Sequence, residues 1–217
     1  MLRSPRNHKS SKQHILSARR ASSPQCYHFP VSHAGYVLVG GRSSRMGRDK
    51  AFLPFGGSTL GEFVAGAVAS VTGQVVLVGE PARYQALGYP VIPDHYPGEG
   101  PLGGILTALQ HTQADWNLVV ACDMPGISGE ILSRILEAAE NSTNDVLLPI
   151  GPDGRPEPLC AAYHRRTLQA LESVFASGER KITRALQSVH TARLVIAETA
   201  TFQNVNTPED WAHHAAE

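Results

Sequence analysis

Short apolar runs alternate with helical periodicities along the chain from Gly35 onwards. Aliphatic and β-branched runs predict strands, and the first of them covers residues 37–39. After that run, apolar residues recur at the spacing of one helix face: Leu60, Phe63, Val64, Ala67, Val68 and Val71. Further strands are predicted at residues 74–78, 91–93, 117–121, 145–149, 159–163 and 194–197. This alternation predicts an α/β fold, a single doubly wound, Rossmann-like, three-layer domain with a mostly parallel sheet.

Local signals mark the other helices. Pro101 suits the first position of a helix, and Ser128 is a typical N-cap. A short helix is predicted near residues 83–87, and residues 151–154 predict a turn. The remaining helices are predicted around Leu168, Leu171 and Phe175, around Ile182, Ala185 and Leu186, and from Pro208 onwards. We find no internal repeat and no second core, so residues 34–217 are expected to form one domain.

The formal net charge of zero conceals an uneven distribution of charge. Residues 1–33 hold six of the 19 lysines and arginines and no acidic residue, which leaves a net charge of −6 on the remainder. This first segment lacks the apolar core of a secretory signal and any helical periodicity. We expect residues 1–33 to be a disordered basic leader, and a transit peptide or a nucleic-acid-binding arm is the alternative.

Composition excludes several classes of protein. No apolar run approaches the ~20 residues that a membrane-spanning helix needs. The three cysteines, Cys26, Cys122 and Cys160, show no C-x-x-C spacing, which favours a reducing compartment over a secreted, disulfide-linked chain. The ten histidines are scattered, which argues against a zinc site. We therefore expect a cytoplasmic protein with no membrane partner and no specific nucleic-acid partner.

Residues 38–50 form a loop rich in glycine and cations directly after the first predicted strand. Its glycines permit close backbone approaches that a Cβ would prevent, so main-chain N–H groups can face an anion. Its cations suit the negative charge of a nucleoside triphosphate. The loop differs from the Walker motif, because Ala51 follows Lys50 where that motif has Ser or Thr. The glycines are Gly40, Gly41 and Gly47, and the cations are Arg42, Arg45, Arg48 and Lys50.

Asp123 follows the strand predicted at 117–121, which is apolar after Asn117, and precedes Pro125. A carboxylate at the exit of a buried strand must be solvated, hydrogen-bonded or bound to a metal ion. Mg²⁺ suits such a position, since it takes one or two carboxylates together with phosphate oxygens and water. Ligands of doubly wound sheets bind beyond the carboxyl ends of the strands, where both Asp123 and the loop at 38–50 are predicted to lie.

This loop and five segments downstream of it together match the motif pattern of one protein family. The loop resembles the L-x-G-G-x-S-x-R-M-G-x-D-K signature of molybdenum cofactor guanylyltransferases, which are molybdopterin nucleotidyltransferases with a nucleotide-diphospho-sugar transferase-like fold. The further segments, in family order and at about the family spacing, are residues 93–94, 100–105, 122–125, 157–160 and 204–209. The resemblance covers residues 35–217. One departure is Val39, where the family usually has Ala.

The resemblance implies transfer of GMP from GTP to molybdopterin-bound molybdenum, forming the guanine dinucleotide cofactor and pyrophosphate. It implies Mg²⁺ as the cofactor, with Asp123 as the metal ligand, and leaves open a transient contact with a molybdoenzyme or a delivery protein. The expected catalytic residues are Arg45, Lys50 and Asp123. The expected nucleotide-binding residues are Leu38, Val39, Gly40, Gly41, Lys50, Gly79, Asp94, Gly103 and Asp123. Asn204 and Asn206 resemble the family's cofactor-side asparagines, and the cationic residues Arg155, Arg180 and Lys181 are candidates for the pterin phosphate.

Simpler interpretations exist for several of these residues. Asp94 could form an Asx turn, and Gly79 could simply end a strand. Surface cations such as Arg155 usually have no specific ligand. Thr207 could cap a helix that begins at Pro208, which would leave Asn204 without an explanation.

Three other functions also fit the sequence. A cytidylyltransferase acting on the same pterin more often has L-A-A-G in its loop, so Gly40 and Gly41 favour guanine. A sugar-phosphate or alditol-phosphate nucleotidyltransferase typically has a longer gap in the corresponding loop. A non-catalytic nucleotide-binding regulator would not require Lys50 and Asp123, and both are present.

Overall fold

The computed structural model describes residues 1, 33–40, 48–198, 200–205 and 211. Residues 31–217 cluster as one compact unit. The predictions for the leader, for the loop at 41–47 and for a helix from Pro208 lie outside the described residues, apart from Met1, His33 and Trp211. His33, which we expected at the end of the leader, is the first residue of a strand.

A seven-stranded sheet forms the centre of the fold, and its strands are β1 His33–Leu38, β4 Val75–Val78, β5 Val91–Ile92, β6 Trp116–Ala121, β7 Val146–Ile150, β8 Cys160–His164 and β9 Thr191–Val195. Their order in the sheet is β5-β4-β1-β6-β8-β7-β9. Strand β8 runs antiparallel to β6 and β7, and the other neighbouring pairs are parallel. The predicted mostly parallel sheet is confirmed.

Helices cover both faces of this sheet. The longer ones are α1 Leu60–Thr72, α3 Pro101–His111, α4 Gly129–Glu140 and α5 Leu168–Ala176, and the single turns are α2 Pro81–Tyr84 and α6 Ile182–Ala185. On one face, α1 and α4 pack in one core cluster with Val37 and Leu118. On the other, α3, α5 and α6 pack with Tyr36 and Val119. Alternate residues of β1 and β6 therefore belong to opposite layers, which confirms the three-layer architecture.

The carboxyl ends of the central strands β1 and β6 lie side by side. All six residues of β6 are buried, as expected for a parallel strand covered on both faces. In the parallel register, Leu38 lies beside Ala121. Residues 39–40 and 122–123 consequently leave the sheet at the same edge.

Local chemistry explains where the helices begin. Thr59 and Glu62 form a capping box at the start of α1. Ser128 accepts a hydrogen bond from the backbone N–H of Ile131, as predicted for the N-cap of α4. Pro101 occupies the first turn of α3, also as predicted.

Two elements differ from the sequence-based expectation. Residues 54–59 form a small hairpin of β2 Pro54–Phe55 and β3 Ser58–Thr59, joined by Gly56 and Gly57 at φ of 54° and 83°. Two consecutive positive φ values are the requirement of a tight hairpin turn, and Gly-Gly satisfies it. The last strand was predicted at 194–197 but is β9 Thr191–Val195. It is an edge strand that is only partly buried, and Val195 is 69% exposed, so apolar residues do not mark its bounds.

Among the described residues, no helix is long and apolar enough to cross a membrane.

Candidate active site

A cavity of about 640 Å³ opens at the carboxyl ends of the parallel strands β1, β4, β5 and β6. This is the edge at which doubly wound sheets bind ligands. The residues that follow these four strands line the cavity together with the start of α3. Of the described candidates, the cavity wall includes Leu38, Val39, Gly40, Lys50, Gly79, Asp94, Asp123 and Asn204.

Lys50 and Asp123 form an ion pair in this cavity wall. The Lys50 Nζ donates to Asp123 Oδ2 at 2.8 Å, and the two side chains are only 17% and 20% exposed. Lys50 begins a short 3₁₀ turn, Lys50–Phe52, and Asp123 follows the buried strand β6 by two residues. The Asp123 carbonyl also accepts a hydrogen bond from the backbone N–H of Val205 at 3.0 Å, which places the segment containing Asn204 beside it.

Asp49 anchors the turn that carries Lys50. Its Oδ2 accepts a hydrogen bond from Tyr84 Oη at 2.7 Å and pairs with Arg83 Nη2 at 2.7 Å. Its Oδ1 accepts from the backbone N–H of Ala51 at 3.1 Å, and the side chain is 11% exposed. Burial and this hydrogen bond to a carboxylate raise the pKa of Tyr84, so its hydroxyl stays protonated and donates. Sequence reasoning assigned no role to Asp49, although an aspartate just before a helical turn is a capping signal.

Two glycines of the cavity wall are closely packed, and one of them, Gly79, is required by that packing. A Cβ on Gly79 would lie 2.2 Å from the Val39 carbonyl oxygen and 2.9 Å from the Tyr84 ring. A Cβ on Gly104 would lie 3.1 Å from the Leu38 side chain. Gly103, which we predicted to contact the nucleotide, does not line the cavity. A Cβ on Gly103 would lie 2.7 Å from the Tyr96 side chain, so glycine at this position makes room for Tyr96.

Asp94 forms the turn considered for it and also lies in the cavity wall. Its Oδ1 accepts hydrogen bonds from the Tyr96 backbone N–H at 2.9 Å and from Thr107 Oγ1 at 3.1 Å, so it does form a turn. Asp94 also lines the cavity, and its Oδ2 accepts no hydrogen bond from the part of the chain that the structure describes. The turn therefore holds this carboxylate at the edge of the cavity.

Comparison with known proteins agrees with this arrangement. Residues 35–192 match the family described as the MobA-like NTP transferase domain. The chain belongs to this family. It is a nucleotidyltransferase, and the family resemblance seen in its sequence is confirmed.

Relatives of this nucleotidyltransferase cover most of its length. It is 35% identical over 188 residues to the "Probable molybdenum cofactor guanylyltransferase" of Bacillus cereus strain G9842, covering 82% of this chain and 93% of that one. The protein of the same name from Bacillus anthracis strain CDC 684 is 35% identical over 189 residues, with 82% and 94% coverage.

Solved structures share the fold of this MobA-like domain. Molybdopterin-guanine dinucleotide biosynthesis protein A from Archaeoglobus fulgidus superposes with a TM-score of 0.72 at 28% identity, covering 83% of this chain and 96% of that one. The 2-C-methyl-D-erythritol 4-phosphate cytidylyltransferase of Thermus thermophilus gives a TM-score of 0.64 at 19% identity, covering 83% and 96%. The second likeness is one of fold alone.

Three predicted acceptor-side cations of this nucleotidyltransferase do not line the cavity. Arg155 is 81% exposed and pairs with Asp153 at 3.2 Å. Arg180 pairs with Glu99 at 2.6 Å, and Lys181 is the residue just before the turn of α6. The structure thus brings Asn204 to the cavity without these cations, because the guanidinium groups of Arg155 and Arg180 are directed to nearby carboxylates. Gly41, Arg45 and Asn206 lie outside the described residues, and their roles stay predictions.

Two buried cysteines lie close to the site. Burial, followed by the negative charges of Asp123 and Asp49, raises the pKa of Cys122 to about 12. Burial raises the pKa of the Cys160 thiol as well. Both thiols are therefore protonated at neutral pH and poor nucleophiles, so neither is suited to covalent catalysis.

The carboxylate of Asp123 fits a magnesium ligand. Its Oδ2 is paired with Lys50, while its Oδ1 accepts no hydrogen bond within the described ranges. No group of three or more His, Cys, Asp or Glu side chains among the described residues could hold a metal ion by itself. One carboxylate is nevertheless compatible with Mg²⁺, which keeps several waters and takes phosphate oxygens as ligands.

Proposed function

We propose that this nucleotidyltransferase transfers GMP from GTP to the terminal phosphate of molybdenum-bound molybdopterin, forming the guanine dinucleotide cofactor and pyrophosphate. The observation that carries the proposal is the meeting of Lys50 and Asp123 within 2.8 Å in the wall of the cavity. Nucleotidyl transfer from a triphosphate is promoted by cationic side chains and by a carboxylate-bound Mg²⁺, which neutralise the phosphate charge. The names of the Bacillus relatives support guanine as the base and the molybdenum cofactor as the acceptor.

The reaction needs no general base. An oxygen of the pterin phosphate is already anionic at neutral pH, and it attacks the α-phosphorus of GTP. The new P–O bond forms as the bond between the α-phosphorus and its bridging oxygen breaks, and pyrophosphate leaves with that electron pair. The protein's contribution is then to position the two reactants and to stabilise negative charge.

Lys50 stabilises the negative charge that develops on the pyrophosphate side. Its ammonium group lies in a largely buried wall, where charge interactions are stronger than in bulk water. Asp123 holds this ammonium in place, and together with phosphate oxygens it would hold Mg²⁺, which neutralises triphosphate charge when bound. Arg45 is proposed to add a second cation on the same side.

The donor and the acceptor occupy different parts of the cavity in this proposal. The donor nucleotide lies along the ends of β1, β4 and β5, where Val39, Gly79 and Asp94 line the wall. Asn204 lies on the Asp123 side of the same cavity, next to the Val205–Asp123 hydrogen bond. We assign Asn204, with Asn206, to the acceptor, and Arg155 and Lys181 remain predictions. A cytoplasmic location also remains a prediction.

The test is pyrophosphate release by the purified protein with molybdenum-bound molybdopterin, Mg²⁺ and one nucleotide at a time. We expect release with GTP that depends on both the acceptor and Mg²⁺. Release with CTP alone would replace the proposal by a cytidylyltransferase. Nucleotide binding without release, under conditions in which a characterised guanylyltransferase turns over, would support a regulator instead.

A further inference from the structure

One segment of the cavity wall is held from outside the cavity. Pro97, Gly98, Gly100 and Pro101 line the cavity, whereas Glu99, in the middle of this segment, does not. Gly98 and Gly100 have φ of 83° and 86°, a region that glycine tolerates without strain. We call residues 97–101 the wall loop. Its backbone conformation leaves the side chain of Glu99 available to the other side of the loop.

Glu99 is bound by an arginine that is itself fixed. The Arg180 Nε donates to Glu99 Oε2 at 2.6 Å. Arg180 Nη1 donates to the carbonyl oxygens of Phe175 at 2.7 Å and Glu179 at 3.1 Å. The guanidinium carbon also lies 3.8 Å from the centre of the Phe175 ring. These contacts fix the planar guanidinium group, so less conformational entropy is lost when it binds the carboxylate.

Helix α5, which carries Phe175, also contacts the chain just before the wall loop. The ring of Tyr96 packs against Phe175 with 4.8 Å between ring centres. Gln110 Nε2 donates to Tyr96 Oη at 2.8 Å and to Glu172 Oε1 at 2.7 Å. Helix α5 and the segment after it therefore contact the chain at residues 96 and 99, on either side of Pro97 and Gly98, which line the cavity.

We propose that Arg180 is a positioning residue, which holds the wall loop in place through Glu99 rather than binding the acceptor phosphate. Arg180 contacts the wall loop directly through this carboxylate and is itself absent from the cavity wall. The paired side chains are 39% and 49% exposed, and an ion pair of that kind contributes modestly. We expect a loss of nucleotide affinity of about three- to five-fold when the pair is broken.

The first test is amide hydrogen exchange of the full chain without any ligand. The Glu99 N–H bonds the Tyr96 carbonyl at 3.1 Å, and the Gly103 N–H bonds the Gly100 carbonyl at 3.0 Å, so both amides report on the wall loop. We expect both to exchange several-fold faster in Arg180→Ala and in Glu99→Gln, and no faster in the double variant than in the single ones. The matched control is Arg184→Ala, which removes an exposed arginine that pairs with Glu179 at 3.4 Å. Unchanged exchange in Arg180→Ala would overturn the proposal.

The second test is kinetic and rests on the proposed function. Arg180→Ala and Glu99→Gln should each raise the Kd for Mg-GTP by about three- to five-fold, without a further increase in the double variant, and leave the KM for the acceptor unchanged. An increase of the acceptor KM in Arg180→Ala but not in Glu99→Gln would contradict the proposal and make Arg180 an acceptor ligand. If the wild-type chain bound no nucleotide, the proposed function would fail, and the exchange measurement would still decide the role of Arg180.

Discussion

Lys50 Nζ and Asp123 Oδ2 lie 2.8 Å apart, although 73 positions separate the two residues in the sequence. Asp123 follows β6, whose last residue, Ala121, lies beside Leu38 at the end of the adjacent parallel strand β1. The turn that begins at Lys50 is held near this end by the contacts of Asp49. Each side chain of the Lys50–Asp123 pair is at most 20% exposed, so neither charge is fully compensated by water if the other is removed. The pair is therefore expected to matter for both the geometry and the charge of the site.

Asp123→Asn should lower kcat/KM by a factor of about 100 or more, because the amide keeps the size of the side chain but loses the charge needed for Mg²⁺. Steady-state pyrophosphate release at several Mg²⁺ concentrations measures this loss. Glu130→Gln is the matched control, since it makes the same change at an exposed carboxylate in the first turn of α4. Near-normal turnover of Asp123→Asn would remove Asp123 from the mechanism.

Lys50→Ala should reduce kcat/KM by an amount corresponding to about 3 kcal/mol, the typical contribution of a preorganised charge in an active site. The loss should be larger for GTP binding than for GMP binding, because Lys50 is proposed to contact the phosphates beyond the α-phosphate. Calorimetric titration with both nucleotides measures the difference. An unchanged ratio of the two affinities would show that Lys50 does not act on the triphosphate.

Tyr84→Phe should destabilise the fold by about 1 kcal/mol, because it removes the hydrogen bond to the buried carboxylate of Asp49. It keeps the ring that stacks on Phe52 at 5.8 Å between ring centres. Asp49→Asn should cost more, since it also loses the charge that pairs with Arg83, and it should lower kcat/KM by disturbing the turn of Lys50. Urea denaturation and kinetics of both variants test this. Full activity of Asp49→Asn would mean that Asp49 does not position Lys50.

Glu157 gives the protein a specific pH dependence of stability. Burial, with a smaller contribution from the negative charge of Asp153, raises the pKa of Glu157 to about 7. In the unfolded chain a glutamate ionises near pH ~4.3, so the folded state binds more protons between that pH and about 7. Stability from this group is therefore present at acidic pH and is lost as the pH rises to about 7.

Glu157→Gln should remove that dependence. The difference in free energy of unfolding between the variant and the wild type should be more favourable to the variant at pH ~8 than at pH ~5, by on the order of 1 kcal/mol. This value is smaller than the full pKa shift implies, because the side chain is only partly buried. Thermal denaturation at both pH values measures the difference between the two proteins. A difference that does not change with pH would show that Glu157 titrates normally.

Much of the fold is predictable from sequence because burial leaves a clear pattern. Strand β6 is buried throughout and apolar apart from Asn117, because helices cover both of its faces. The hairpin at residues 54–59 has strands of two residues, too short for any periodicity, and β9 is a partly exposed edge strand. These elements are fixed by tertiary contacts and turn geometry, which a local apolar pattern does not contain.

Some residues of the site could likewise be predicted from the sequence, and others could not. Lys50 and Asp123 could be predicted because both follow strands whose carboxyl ends meet. The contacts of Asp49 with Tyr84 and of Glu99 with Arg180 join positions 35 and 81 residues apart and carry no spacing signal. Charge alone suggested Arg155 and Arg180 as ligands for a phosphate. In the structure, both cations are instead paired with carboxylates outside the cavity wall.

The central claim is tested most directly by the mass of the product formed from a mixture of equal concentrations of GTP and CTP, with Mg²⁺ and molybdenum-bound molybdopterin in limiting amount. We predict that the dinucleotide product carries guanine, that pyrophosphate forms in equal amount, and that Asp123→Asn and Lys50→Ala yield little of either. A product that carries cytosine, or consumption of GTP without a dinucleotide, would contradict the account.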